Sequence, residues 1–313
     1  MPIDFKDTLV VGISSRALFD LEEENMIFKE KGIQSYREYQ RNMENVLLEK
    51  GTAFHLVEAL LNLNQLSKER LVEVIVMSRN SPETGIRVLN SLHSYGLDIT
   101  RSAFTGGEPL FRYMEGFNVD LFLTKDEDDV QKVIDSGICA AAMIYDPPKD
   151  FIPELTTVRI AFDGDAVLFA DESEFIYKSK GIEAFHVNES ANAEVPLREG
   201  PYAKLLKMLS RIQHKMHTGI ELSPLRIAII TARNSPSHMR VINTFRKWDV
   251  YVDEAFFLGG ISKDQILKAF NAHIFFDDQD VHLEPAKSLV PSAKVPYTSD
   301  SPLRAVVEKL IDK

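Results

Sequence analysis

The chain repeats itself. With Ile13 laid on Phe162, an offset of 149 residues, the segment to Tyr36 runs without a gap along the segment to Phe185. Identities fall at Ala17/Ala166, Glu23/Glu172, Ile27/Ile176, Lys29/Lys178, Lys31/Lys180, Gly32/Gly181 and Ile33/Ile182. The register holds through Gly51/Gly200 and Leu56/Leu205. At a slightly longer offset ArgAsnSerPro at 79–82 recurs at 233–236, and Gly106-Gly107 recurs as Gly259-Gly260. A chain of 313 residues holding two such copies predicts two units of ordinary domain size, 1–146 and 147–313. Between them Asp146-Pro147-Pro148-Lys149-Asp150 breaks every periodicity and is the expected linker.

The copies differ chiefly in one kind of residue. Where the second has Asp163, Asp165, Asp277 and Asp278, the first has Ser14, Arg16, Thr124 and Lys125. A duplication that loses its carboxylates on one side predicts a working site in the second half and a silenced one in the first.

Short apolar runs alternate with helical patterns in both halves. They are LVVGI (9–13), VEVIVM (72–77), VDLFL (119–123), AAAMIY (140–145), TVRIAF (157–162), LRIAII (225–230), EAFFL (254–258) and HIFF (273–276). Such runs suit strands buried on both faces of a parallel sheet. Phe54, Val57, Leu60, Leu61 and Asn64 share one helical face, as do Leu205, Met208, Leu209 and Ile212. The expected class is a doubly wound α/β fold. A net charge of −11 argues against a nucleic-acid polymer as partner. It leaves small phosphate ligands open, because a local metal or lysine outweighs the global sign. The lone Cys139 excludes an internal disulfide framework. The N-terminus is acidic and polar and no apolar run reaches transmembrane length, so a cytoplasmic protein without membrane association is expected.

In α/β sheets ligands collect beyond the carboxyl ends of strands. There the second half places Asp163-Gly164-Asp165 after TVRIAF, Thr231-Ala232-Arg233 after LRIAII, Lys263 after EAFFLGG, and Asp277-Asp278 after HIFF. Each alone is ordinary: a turn, a strand-end hydroxyl, a solvated lysine, a helix cap. Together they supply two carboxylates for nucleophilic and proton-transfer work, a hydroxyl, an ammonium and an acidic pair. Arg233 recurs as Arg79, which leaves a structural role common to both copies beside substrate binding.

That order resembles the haloacid dehalogenase superfamily of phosphohydrolases. The strings GISSRALFDLEEEN, LSRNSPETGIRVLNSL, YGLDITRSAFTGG, FDGDAVLFADESE and HIFFDDQ resemble the cytosolic 5′-nucleotidase type 1 family across nearly the whole chain. The resemblance implies two tandem Rossmann-like halves, the second with a cap insert around 170–223. It implies Mg2+-dependent hydrolysis of nucleoside 5′-monophosphates through an aspartyl-phosphate. Asp163 would be the nucleophile and Asp165 the acid and base. Thr231 and Lys263, with Arg233 and the backbone at Gly164 and Ala232, would hold phosphoryl oxygens. Asp163, the Asp165 carbonyl and one of Asp277 or Asp278 would hold the metal. Phe175, Tyr177, Phe185 and His186 in the insert could stack on a base or simply pack. A related phosphatase or phosphotransferase with another leaving group, and a non-catalytic nucleotide sensor, are the competing readings. For the first half, Ser14 and Arg16, with Ser15 and the Thr105-Gly106-Gly107 turn, suggest an anion pocket for an effector nucleotide. The other readings are that this half lends residues to the active half, or that it is scaffold with Arg16 paired to Asp20 or Glu22. Homo-oligomerisation stays open.

Overall fold

The computed structural model describes residues 5–216 and 223–311. Its centre is one ten-stranded sheet. In chain order the strands are β1 (Leu9–Ile13), β2 (Val72–Ser78), β3 (Arg101–Phe104), β4 (Leu121–Thr124), β5 (Ala140–Ile144), β6 (Val158–Phe162), β7 (Leu225–Thr231), β8 (Glu254–Phe257), β9 (Ile274–Asp277) and β10 (Ser292–Lys294). Helices cover both faces, so the fold is mixed α/β. That cover explains why β1, β2, β4 and β9 are buried at every residue and read as unbroken apolar runs.

The spatial order is β3-β2-β1-β4-β5-β10-β9-β6-β7-β8. Read inward from either edge, the same winding occurs twice. Every pairing is parallel except the central one, where Ala293 lies opposite Ile144 and Lys294 opposite Met143 in antiparallel register. Like strands of the two copies therefore meet head to foot, the self-complementary arrangement typical of a twofold contact. It has a functional consequence: the carboxyl ends of β1–β5 and of β6–β10 lie on opposite edges of the sheet.

Eight strands were expected, and each occurs within two residues of its predicted ends. The two unpredicted ones, β3 and β10, lack an apolar run: ArgSerAlaPhe and SerAlaLys. Helix Phe54–Asn62 buries Phe54, Val57, Leu60 and Leu61. Asn64 lies just beyond it, and its Oδ1 accepts the N–H groups of Leu71 and Val72, each at 2.9 Å, at the start of β2. Helix Ala203–Lys215 buries Leu205, Met208, Leu209 and Ile212. Among the described residues no helix is long and apolar enough to cross a membrane.

Between β6 and β7 run a bulged turn at Gly164–Leu168, the helix Glu172–Ala191 and the helix Ala203–Lys215. Residues 217–222, the end of the expected insert, lie outside the described residues. The first half carries the same pair, Glu22–Asn42 and Phe54–Asn62. Both long helices break at a glycine with positive φ, +77° at Gly32 and +84° at Gly181, where no neighbour would touch a Cβ. Conformation alone retains these glycines. Gly51 and Gly200 are retained for space. A Cβ on Gly200 would meet the carbonyl oxygens of Phe169 at 2.4 Å and Val167 at 2.6 Å. Backbone cannot step aside as a side chain can, so Gly200→Ala is expected to cost about 1–3 kcal/mol. Urea denaturation measures this; a parent-like midpoint would show that the crossing relaxes.

Candidate active site

The second half gathers its acids because four neighbouring strands end at one edge. Asp163 follows β6, and its N–H donates to Phe276 O at 2.8 Å, which ties the turn to β9. β9 ends in Asp277, next to Asp278. Asp163, Asp277 and Asp278 each offer an oxygen such that all lie within 4.8 Å of one another, and all three are buried. Among the described residues this is the one such cluster. Into it comes Lys263, 1% exposed, with Nζ 2.7 Å from Asp163 Oδ1 and 2.7 Å from Asp277 Oδ2.

The electrostatics follow from crowding. Burial pushes the Asp163 carboxyl up to about 6; Lys263 opposes this, and Asp277 and Asp165 add to it. Burial likewise raises Asp277, and raises Asp278 well above the usual carboxylate range with help from Asp277 and Asp163. For Lys263, burial works against the ammonium, but Asp163 and Asp277 outweigh it and hold the charge. Three buried carboxylates facing one ammonium have room for a further cation.

The acidic pair is not symmetric. Asp277 Oδ2 accepts from Lys263 at 2.7 Å and Oδ1 accepts from the Gln279 N–H at 2.8 Å. Asp278 Oδ2 accepts the Tyr297 hydroxyl at 2.5 Å, while its buried Oδ1 has no partner. A bare carboxylate oxygen beside two other acids suits a hard divalent cation such as Mg2+.

Asp165 sits apart from this cluster, held by Arg233. Arg233 Nε donates to Asp165 Oδ2 at 2.7 Å and Nη2 to Oδ1 at 2.6 Å, a two-pronged pair. The remaining amino group bonds Glu189, which also accepts from Arg240 at 2.9 Å and from Ser173 at 2.9 Å. The guanidinium lies over the rings of Phe185 and Phe169. Burial alone would raise the fully buried Glu189, but the arginines prevail and lower it. Thr231 is buried with its Oγ1 accepting from the Arg233 N–H at 3.3 Å, and that oxygen lies 3.4 Å from where a Cβ on Gly164 would stand. Ala232 is exposed in the turn after β7.

The structure thus brings Asp163, Gly164, Asp165, Thr231, Arg233, Lys263, Asp277 and Asp278 to one edge. The sequence reading missed Glu189, Arg240, Glu174, Gln279 and Tyr297. Two carried a signal: Glu189 falls on Gln40 and Glu174 on Asn25, the same loss of acid that marked Asp163. Burial, then repulsion from Asp165, lifts the Glu174 carboxyl to about 7. Of the insert aromatics, Phe185 is buried beneath Arg233, Tyr177 is half exposed, and His186 Nε2 lies 3.1 Å from Asn234 Oδ1.

The first-half residues assemble separately. Arg16 Nη2 donates to both oxygens of Glu22, at 2.9 and 3.1 Å, and Asp20 does not take part. The N–H groups of Gly106 and Gly107 donate to Asn80 O and Arg79 O, so that turn has no donors to spare from them. Arg79 pairs with Asp129 and Asp126, unlike Arg233, so the two arginines share no common role. The partners of Asp163, Asp165, Lys263, Asp277 and Asp278 described above all come from the second half.

The 5′-nucleotidase family model matches residues 1–302. Human cytosolic 5′-nucleotidase 1B is 38% identical over 293 residues, 91% of this chain and 48% of that protein. The chain therefore spans about half the length of this curated relative. No solved structure matches the chain significantly.

Proposed function

This chain belongs to the 5′-nucleotidase family, and on that footing we propose that it is a cytosolic, Mg2+-dependent 5′-nucleotidase acting on nucleoside monophosphates. The observation that carries the proposal is the trio Asp163, Asp277 and Asp278, buried together with one lysine. The architecture we assign is two haloacid-dehalogenase-type halves, 1–146 and 147–313. Residues around 170–223 cap the second and govern which leaving group enters.

Asp163 attacks phosphorus as its P–O5′ bond breaks, and the departing 5′-oxygen takes a proton from Asp165. In the second step Asp165 takes a proton from water, whose oxygen attacks the phosphorus and releases Asp163 and inorganic phosphate. Lys263 and Thr231, with the backbone at Gly164 and Ala232, face the phosphoryl oxygens as charge redistributes. Bound Mg2+ would offset the repulsion between anionic nucleophile and anionic substrate. Asp163, the Asp165 carbonyl and Asp278 are its ligands in this reading. Asp278 is preferred to Asp277 because both Asp277 oxygens are engaged.

Arg233 is assigned to positioning and not to direct contact with phosphate, because Asp165 and Glu189 saturate it. Its fork engages both oxygens of Asp165 and fixes the orientation of that side chain. With both oxygens engaged, this pair has to open when substrate enters for Asp165 to reach the departing oxygen.

Phosphate release from several nucleoside 5′-monophosphates and from sugar phosphates, with Mg2+ and with EDTA, tests the reading. Release independent of Mg2+, or favouring sugar phosphates, would reject it; nucleotide binding without release would favour a sensor. Loss of a residue that only supports a ligand raises the metal requirement about 10–100-fold. Asp277→Asn should fall in that range and Asp278→Asn beyond it. Equal shifts would reject the ligand assignment.

A further inference from the structure

The half that lacks the acid cluster holds a cavity of about 630 Å³ at the carboxyl ends of β1, β2 and β4. That lies within the range of about 300–1,000 Å³ usual for small-ligand sites. In the second half Arg233 reaches inward to Asp165 and Glu189. In the first half Arg16 and Gln40 stand at those two positions, and the buried Glu24 in the cavity lining is taken by Arg87, so Arg79 is not drawn inward. It turns instead to Asp129 and Asp126, where the second half has His282 and Gln279.

The polar lining of the cavity includes Arg16 and Lys125, the replacements for Asp165 and Asp278; its acids Glu24, Asp126 and Asp129 are paired with Arg87 and Arg79, and Lys125 also pairs with Asp146 at 2.7 Å. One carboxylate bridges Arg16 and Lys125. Glu22 accepts twice from Arg16, at 2.9 and 3.1 Å, and once from Lys125 at 3.0 Å. Burial alone would raise this carboxyl, but Lys125 and Arg16 together lower it. Glu22 is 42% exposed and opens a helix that breaks at Gly32, so it is an anion the fold can release. Part of the lining is aromatic: Phe28 meets Tyr36 edge-on at 5.8 Å, with Phe28 48% exposed.

We propose that this cavity is a second, non-catalytic nucleotide site that needs no metal. The nucleotide phosphate displaces Glu22 from between Arg16 and Lys125, and the base lies against Phe28 and Tyr36. Two cations and a planar apolar wall in one cavity select a phosphate ester carrying a ring over phosphate alone. The site lies on the opposite sheet edge from Asp163, so it operates whether or not the second half turns over.

Calorimetric titration of adenosine 5′-monophosphate into the full chain in EDTA tests this. Arg16→Ala is expected to weaken binding about tenfold or more, and Glu22→Gln to strengthen it about tenfold, since the competing anion is gone. Phe28→Ala, at a half-exposed position, should weaken the nucleotide while leaving inorganic phosphate unchanged. The proposal fails if neither the parent nor Glu22→Gln binds in EDTA. It fails equally if Arg16→Ala and Glu22→Gln bind like the parent, which would place the ligand elsewhere. Phosphate binding as tightly as nucleotide, with Phe28→Ala neutral, overturns the ligand class. Asp163→Asn abolishing turnover while EDTA binding persists would separate this site from the catalytic reading.

Discussion

Replacing Asp163 by Asn is expected to lower kcat by on the order of 10⁴-fold or more, with the fold intact. The amide has nearly the shape of the carboxylate but cannot supply the anionic oxygen that forms the phosphoryl ester. The backbone tie from Asp163 N to Phe276 O is untouched. Removing one of three crowded carboxylates also lessens repulsion on Asp278. The variant should therefore be inactive and, in EDTA near neutral pH, no less stable than the parent. Phosphate release at saturating Mg2+ and nucleotide, paired with urea midpoints, measures both. Activity within about tenfold of the parent would remove Asp163 from the chemistry, because no positioned neighbour of a true nucleophile sustains such a rate.

What the sequence made legible was the part written in periodicity and in acids. Strands buried on both faces leave apolar runs, and eight of ten were visible as such. β10, three residues of SerAlaLys, owes its place to pairing with β5, a contact that no local pattern encodes. β3 was recoverable in principle, since ArgSerAlaPhe lies opposite GluAlaPhePhe in the repeat. The repeat also located Asp163 and the acidic pair, because a lost carboxylate is a discrete change. It could not show what a retained residue does. Arg79 and Arg233 both open the string ArgAsnSerPro, yet one turns outward to Asp129 and the other inward to Asp165. The difference lies in Arg16 against Asp165 and in Gln40 against Glu189, the latter far along a broken helix, so only the folded chain brings cause and effect together. The first-half cavity was suggested by sequence only as an anion pocket around Ser14 and Arg16.

Lys263→Met is expected to produce the largest loss of stability of any single change at the site. The ammonium is buried between Asp163 and Asp277, and removing it leaves three carboxylates facing one another. Breaking a buried pair by deleting one partner costs about 3–5 kcal/mol. The pH dependence gives this prediction its sign. The Lys263 ammonium is raised above its ordinary value, so its contribution is fully present below that value, throughout the physiological range. Carboxyls whose values are raised by folding act oppositely: they cost nothing below their unfolded values and progressively more as pH rises through their folded ones. Asp163, at about 6, and Glu174, at about 7, place that loss between roughly pH 4 and 7. His282, held down to about 4 by burial and then by Lys263, pulls the other way by losing stability as pH falls. Deleting Lys263 removes part of the His282 shift and pushes the carboxyls further up, so both changes steepen the same slope. In EDTA the variant should therefore lie nearest the parent near pH 5 and fall furthest below it near pH 8. Mg2+ should restore stability at the higher pH and little at the lower, where protonated carboxyls cannot ligate it. A loss independent of pH would mean that Lys263 acts by packing, through its contact with Phe275, and not by neutralising the acids.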